Sequence, residues 1–299
     1  MLLESVRSWL GGASSAPGTG PPFPGGVEEA READLPAKPE GPWPAARVDV
    51  CEQIWGEGFL SPGGAEEVMR LAKPLGLTSA ASLLLVGAGS GGAPRIIASQ
   101  LGVWVSGFES DPDLAALAME RCTRARLGRR ATVEMWYPQA PSFRIQAYHH
   151  GLALEPLRDA KPEPVLAALT GALRPRGQLM LVETVADEPL DPADPVVAAW
   201  RRLERRPAEL PTERGITKMF GRLGFEVRVA EDVTQRHIHL AVLGWRAAVR
   251  EMKADRPPPV RAARIVAEAE LWLVRLRMMR EGRVRMVRWH AISTRRELA

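Results

Sequence analysis

Cysteine is scarce. Cys51 and Cys122 are the two in 299 residues. They supply no disulfide framework and no metal-ligand cluster, and a reducing compartment is the simple reading. Long apolar runs are missing as well: no stretch reaches the roughly 18–20 residues that span a bilayer. The opening MLLESVRSWLGG has no basic segment followed by a continuous apolar one, so no secretory leader is expected. Together these absences point to the cytoplasm. Charge of one sign is modest. Forty Lys and Arg against thirty-six Asp and Glu leave a formal +4. That does not mark a nucleic-acid binder, and no nucleic-acid-reading motif accompanies it. No internal repeat is visible. What remains is an ordinary globular composition, 45% hydrophobic and 25% charged.

The chain divides into an arm, residues 1–46, and a folded domain, residues 47–299. In the arm, Leu2, Leu3, Val6, Trp9 and Leu10 recur at helical spacing. This tip either packs on its own domain or docks, through residues 1–12, on a protein partner or a membrane surface. The stretches GGASSAPGTGPPFPGG and LPAKPEGPWPAA complete the arm. Their composition buries too little apolar surface to offset the entropy of ordering them.

Helix and strand signals alternate through the domain. Helices are expected at Ala65–Ala72, Pro94–Leu101, Asp113–Leu127, Val165–Leu173, Thr212–Leu223 and Arg261–Arg280, with Asp111 or Asp113 capping the third. Strands are expected at Leu83–Val86, VWVSGFE, ATVEMW, FRIQAYH, QLMLVE, FEVRVAEDV and RVRMVRWHAIS. Such alternation implies an α/β protein with a doubly wound, mostly parallel sheet.

The stretch LLLVGAGSGG, Leu83 to Gly92, is the strongest candidate site. Glycines between a strand and a helix allow a tight turn and close backbone approach, and the helix start favours anionic groups. Glu109, about twenty residues on at the end of the next strand, is placed to accept from ribose hydroxyls. Gly87, Gly89 and Gly92 fit G-x-G-x-x-G, a dinucleotide pattern. Gly87, Gly89 and Gly91 fit G-x-G-x-G, a pattern for S-adenosylmethionine (SAM). The loop alone leaves both open.

The surrounding sequence resembles class I SAM-dependent methyltransferases. VLAALTGALRPRGQLMLVE carries a helix, an L-x-P-x-G turn through Leu173, Pro175 and Gly177, and a strand. SGFESDPDLAALA is similar to that family's second strand and following helix. IWGEGFLSPGG, Ile54 to Gly64, resembles the N-terminal lid of the phosphoethanolamine or phosphobase N-methyltransferases. LWLVRLRMMREGRVRMVRWHAIS resembles their terminal helix and last strand. The resemblance runs from about Val48 to Ser293. It implies a Rossmann-like fold with a helical lid, SAM as cofactor, and methyl transfer to a small, amine or phosphorylated substrate. Gly87, Ala88, Gly89 and Gly91 would approach the methionine part, Glu109 the ribose, and Trp136 or Tyr137 the adenine.

Several positions depart from that pattern. Leu85 stands where many members have an acid. Arg144 follows Phe143 where an Asp is usual. Phe59 and Leu154 occupy the places of a lid tyrosine and a histidine that act on the amine. Phenylalanine has no hydroxyl, and leucine moves no proton. These losses motivate an alternative reading, a catalytically degenerate interaction subunit or SAM-responsive scaffold. Tyr148 and His150, expected where the fourth strand ends, are the candidate catalytic replacements, beside His149. His237 and His239 alternate in QRHIHLA, expected to be extended, without a third ligand, so no metal is expected. The C-terminal arginines, Arg275 among them, read either as a solvated helix face or as a surface for phosphate, an acidic partner or RNA.

Overall fold

The computed structural model describes residues 41–207 and 209–295. The arm's first forty residues, and with them the docking tip, lie outside it.

The chain begins with two lid helices, α1 (Ala45–Trp55) and α2 (Gly64–Ala72). Alternating elements follow: β1 (Ser82–Val86), α3 (Gly92–Leu101), β2 (Trp104–Glu109), α4 (Pro112–Arg124), β3 (Ala131–Met135) and β4 (Tyr148–Leu154). Next come α5 (Pro162–Ala172), β5 (Leu173–Val185), α6 (Pro195–Glu204), α7 (Glu213–Arg222) and β6 (Phe225–Asp232). The chain closes with α8 (Thr234–Ala254), α9 (Pro259–Arg280) and β7 (Arg285–Ser293).

The sheet order is β3-β2-β1-β4-β5-β7-β6. The first five neighbours pair in parallel, and β7 runs antiparallel to both β5 and β6. A central parallel strand is covered on both faces and reads as a continuous apolar run. β1 does so: Leu83, Leu84, Leu85 and Val86 are all fully buried. Its side chains alternate between layers. Leu83 and Leu85 join the layer packed by α1, α8 and α9, while Leu84 and Val86 join the layer of α5 and α7.

Local chemistry fixes the helix starts. Asp111 caps α4 by accepting from the N–H groups of Asp113 and Leu114 at 3.0 and 3.1 Å. In the lid layer the Trp55 ring meets Trp272 edge-on, with centroids 5.0 Å apart. Gly244 of α8 makes that packing possible, because a Cβ there would sit 2.3 Å from the Trp55 ring. Among the described residues no helix is long and apolar enough to cross a membrane.

Three local expectations change. The boundary at residue 46 falls inside α1, and Trp43 already packs on the core. FRIQAYH is not a strand as far as Ala147: Ile145 is 82% exposed and Gln146 has φ +47°, so β4 begins only at Tyr148. His237 and His239 lie on α8, not on extended chain. Residues two apart on a helix do not share a face.

Candidate active site

A cavity of about 630 Å³ opens at the carboxyl ends of β1, β2, β3 and β4, beneath the lid. Ligands bind at that edge in doubly wound sheets. Gly87, Ala88, Gly89, Glu109, Trp136 and Tyr137 all line it. Gly91 does not; it caps α3 with φ +97°.

The glycine loop leaves β1 tightly. Gly87 has φ +83°, and a Cβ there would lie 2.4 Å from the carbonyl oxygen of Leu154. A side chain is therefore excluded, and the end of β4 is pressed against the loop. Glu109 latches the same loop. Its carboxylate accepts from the Gly89 N–H at 2.7 Å and from the Ser110 N–H at 2.8 Å. Burial raises its pKa, against those backbone donors. Trp136 is buried beside Phe143, with ring centroids 5.6 Å apart, while Tyr137 is 62% exposed at the cavity edge.

The lid is tied to this floor by charge. Glu52 of α1 receives Arg121 of α4 through both oxygens, and the Ser90 hydroxyl donates to it at 2.6 Å. Burial opposes ionisation of Glu52, but Arg121 and Ser90 hold its pKa below the ordinary value. The Gly92 N–H donates to the Gly58 carbonyl at 2.8 Å, joining the lid loop to the start of α3.

Behind the lid the cavity wall is ionic. Glu155, just past β4, takes Arg275 at 2.9 Å and is also paired with Arg206. Burial would push Glu155 up, yet Arg275, Arg206 and Arg158 hold it well below the usual carboxylate range. Glu183 lies deeper. It accepts from the Leu157 N–H at 2.8 Å, and burial pushes it up to about 7 despite Arg206. Glu204 ends α6 with its side chain 1% exposed. Glu155, Arg158, Glu204, Glu268, Trp272 and Arg275 line the cavity, and the motifs pointed to none of them as site residues. Arg275 stood in the C-terminal arginine run, but it is 6% exposed and carboxylate-paired, not part of a solvated face.

The two residues expected to act as catalytic groups sit elsewhere. Tyr148 opens β4, and His150 pairs in register with Leu83 at the start of β1. Both are on the amino edge, and neither lines the cavity. The error follows from the late start of β4, which moves its carboxyl end to Leu154. His150 Nδ1 accepts from the Gln178 N–H at 3.3 Å, and His149 Nδ1 accepts from the Ser82 N–H at 3.0 Å. Phe59 and Leu154 do line the cavity; Leu85 is buried within β1, and Arg144 is exposed. Among the described residues no three His, Cys, Asp or Glu side chains are grouped to hold a metal.

This sheet order, with its one antiparallel strand and its cavity over a glycine loop, is the class I methyltransferase fold, a Rossmann-like architecture. Comparison with known proteins agrees. No family model matches the chain. Phosphoethanolamine N-methyltransferase 2 of Caenorhabditis elegans is 35% identical over 75 residues, 25% of this chain and 17% of that protein. The chain spans 17% to 37% of the length of the curated relatives it matches. Among solved structures, phosphoethanolamine N-methyltransferase 2 of Haemonchus contortus, in complex with phosphomonomethylethanolamine and S-adenosylhomocysteine, superposes with a TM-score of 0.71. It is 18% identical, over 83% of this chain and 57% of that one. A geranyl diphosphate methyltransferase in complex with SAM gives a TM-score of 0.59 at 14% identity, over 76% of this chain and 84% of that one.

Proposed function

We propose that the chain is a SAM-dependent methyltransferase that methylates the nitrogen of a small amine. The observation that carries this reading is the cavity at the carboxyl edge, where the glycine loop, Glu109 and the Trp136–Tyr137 wall meet. The residues fit the cofactor. Gly87 leaves a cradle that a side chain would fill, Glu109 offers carboxylate oxygens for ribose hydroxyls, and Trp136 and Tyr137 offer apolar faces for adenine. When bound, SAM supplies an electrophilic methyl group on a sulfonium.

The chain's own residues do the positioning. Phe59 and Leu60 of the lid loop close one side and exclude water. The Glu52–Arg121 pair holds the lid at the height set by the glycine loop. Phe59 and Leu154 provide no acid or base, so the rate rests on proximity and orientation of a neutral amine. The relatives named for phosphoethanolamine methylation support an amine as the acceptor. The buried, unpaired thiols support a cytoplasmic setting.

Calorimetric titration with SAM, with S-adenosylhomocysteine and NADH as comparators, tests this reading. Micromolar binding of SAM, followed by methyl transfer in an amine screen, is expected. Absence of SAM binding overturns it, and binding of NADH alone would assign the loop to a dinucleotide.

A further inference from the structure

We infer that the outer face of α8 is a docking surface for an anionic lipid bilayer. No residue of α8 lines the cavity, so the role of this face does not depend on the methyltransferase reading.

The helix has two unlike sides. Ile238, Ala241, Trp245, Ala248 and Met252 are buried against the core. On the opposite side His239, Leu243, Arg246, Arg250 and Lys253 are all exposed. They recur every three or four residues, so they form one stripe about 21 Å long. Other helices pair a cation with an acid one turn away, Arg124 of α4 with Glu120 and Arg277 of α9 with Glu281. On α8 itself, Arg236 meets Glu67 of α2. Arg246, Arg250 and Lys253 have no such partner among the described residues. No acid shares their stripe. Glu251 points about 100° round the axis from it, and Asp255 follows the last turn. The helix dipole favours Lys253 in that turn, but its effect has faded at Arg246, about two turns earlier. Like charges spaced by one turn repel. The row is a cost to the isolated chain that an anionic partner removes.

The make-up of the stripe selects among anionic partners. A specific protein interface centres on packed apolar side chains and covers about 800 Å² of each partner. The stripe offers a single apolar side chain, Leu243, which is 46% exposed. Surfaces that grip single-stranded nucleic acid stack bases on aromatic rings, and no Phe, Tyr or Trp stands on this side of α8. A bilayer needs neither. Its anionic head groups form a plane of charge, and a straight, acid-free row of cations meets that plane along its whole length. Leu243, within the row, enters among the head groups while the stems of Arg246 and Arg250 lie beside it. Each cation near the surface is worth about fivefold in partitioning, so the three together give about a hundredfold. That makes a reversible, salt-sensitive association.

Co-sedimentation of the full chain with lipid vesicles tests this. In about 0.15 M salt the chain should bind phosphatidylcholine vesicles containing about one-third phosphatidylserine, and pure phosphatidylcholine vesicles about a hundredfold more weakly. Binding should vanish in about 1 M salt, where charges are screened within about 3 Å. Changing Arg246→Gln, Arg250→Gln and Lys253→Gln together should lose about the same hundredfold. These side chains are exposed, and circular dichroism checks that the variant folds. Arg214→Gln with Lys218→Gln, which removes exposed cations of α7, should bind as the wild type does. Equal binding to both vesicles, an α8 variant that binds as well as wild type, or an equal loss in the α7 variant would each overturn the proposal. So would tighter binding of polyuridylate or polyglutamate than of the anionic vesicles at the same salt, which would assign the stripe to nucleic acid or to an acidic protein. The vesicle and salt series uses the wild-type protein, so it decides the matter even if the α8 variant does not fold.

Discussion

Glu183 sits beneath the cavity wall, 1% exposed, with Arg206 at 3.5 Å. Burial lifts its carboxyl to about 7 from an ordinary 4.5. Between those values the folded chain holds a proton that the unfolded chain has released. The contribution of Glu183 to stability therefore falls as pH rises from about 4.5 to about 7. A shift of that size is worth up to about 3 kcal/mol. His237 has the opposite slope: burial, then Arg275, pushes its imidazole down to about 3, so its contribution rises with pH. The difference between a variant and wild type isolates one group from the other. Glu183→Gln keeps an acceptor for the Leu157 N–H and removes the titration. Thermal unfolding across that window should show the variant gaining on wild type as pH rises, and parallel curves would assign the proton elsewhere. At this scale the glycines and Glu109 were legible as motif residues. Glu155, Glu183 and Glu204 were not, because nothing in their local sequence says that three separate segments converge.

At the scale of elements, the lid is the part whose attachment can be tested. Glu52 and Arg121 lie on α1 and α4, and their side chains are 11% and 15% exposed. Removing one partner leaves the other charge largely desolvated, which costs several times more than breaking a surface pair. Arg121→Met should lower stability by about 2–3 kcal/mol. It should also speed amide exchange across residues 45–60 more than across β1 and β4. Equal protection throughout would show that apolar packing of Trp55 holds the lid without the ion pair. Element type was read from sequence where a pattern was long or bounded. The apolar run of β1 and the Asp111 cap of α4 are examples. Two short patterns misled. Phe143 to Ala147 alternates like a strand, but Ile145 has no neighbour to bury it. QRHIHLA alternates for a few residues inside a helix whose core face, Ile238, Ala241, Trp245, Ala248 and Met252, shows only over a longer window.

At the scale of the whole molecule, the two thiols probe cooperativity. Cys51 belongs to the lid and Cys122 to α4, and both are 0% exposed. Burial raises the pKa of each, so neither presents a reactive thiolate. Native protein should resist iodoacetamide, with both cysteines labelling together once denaturant opens the fold. Early labelling of Cys51 alone would show that the lid opens as a separate unit.

The sequence by itself determined the fold class, the glycine loop and the acid that follows it. Each depends on residues close in the chain and on periodicities that strands and helices impose. The tertiary structure decided which edge Tyr148 and His150 occupy, because that turns on where β4 enters its register with β1. It also decided what lines the cavity behind the lid. The ionic wall is assembled from the residue after β4, from α6 and from α9, and it rests on distances between segments far apart in sequence, which bring Glu155 and Glu204 within ion-pair range of Arg275.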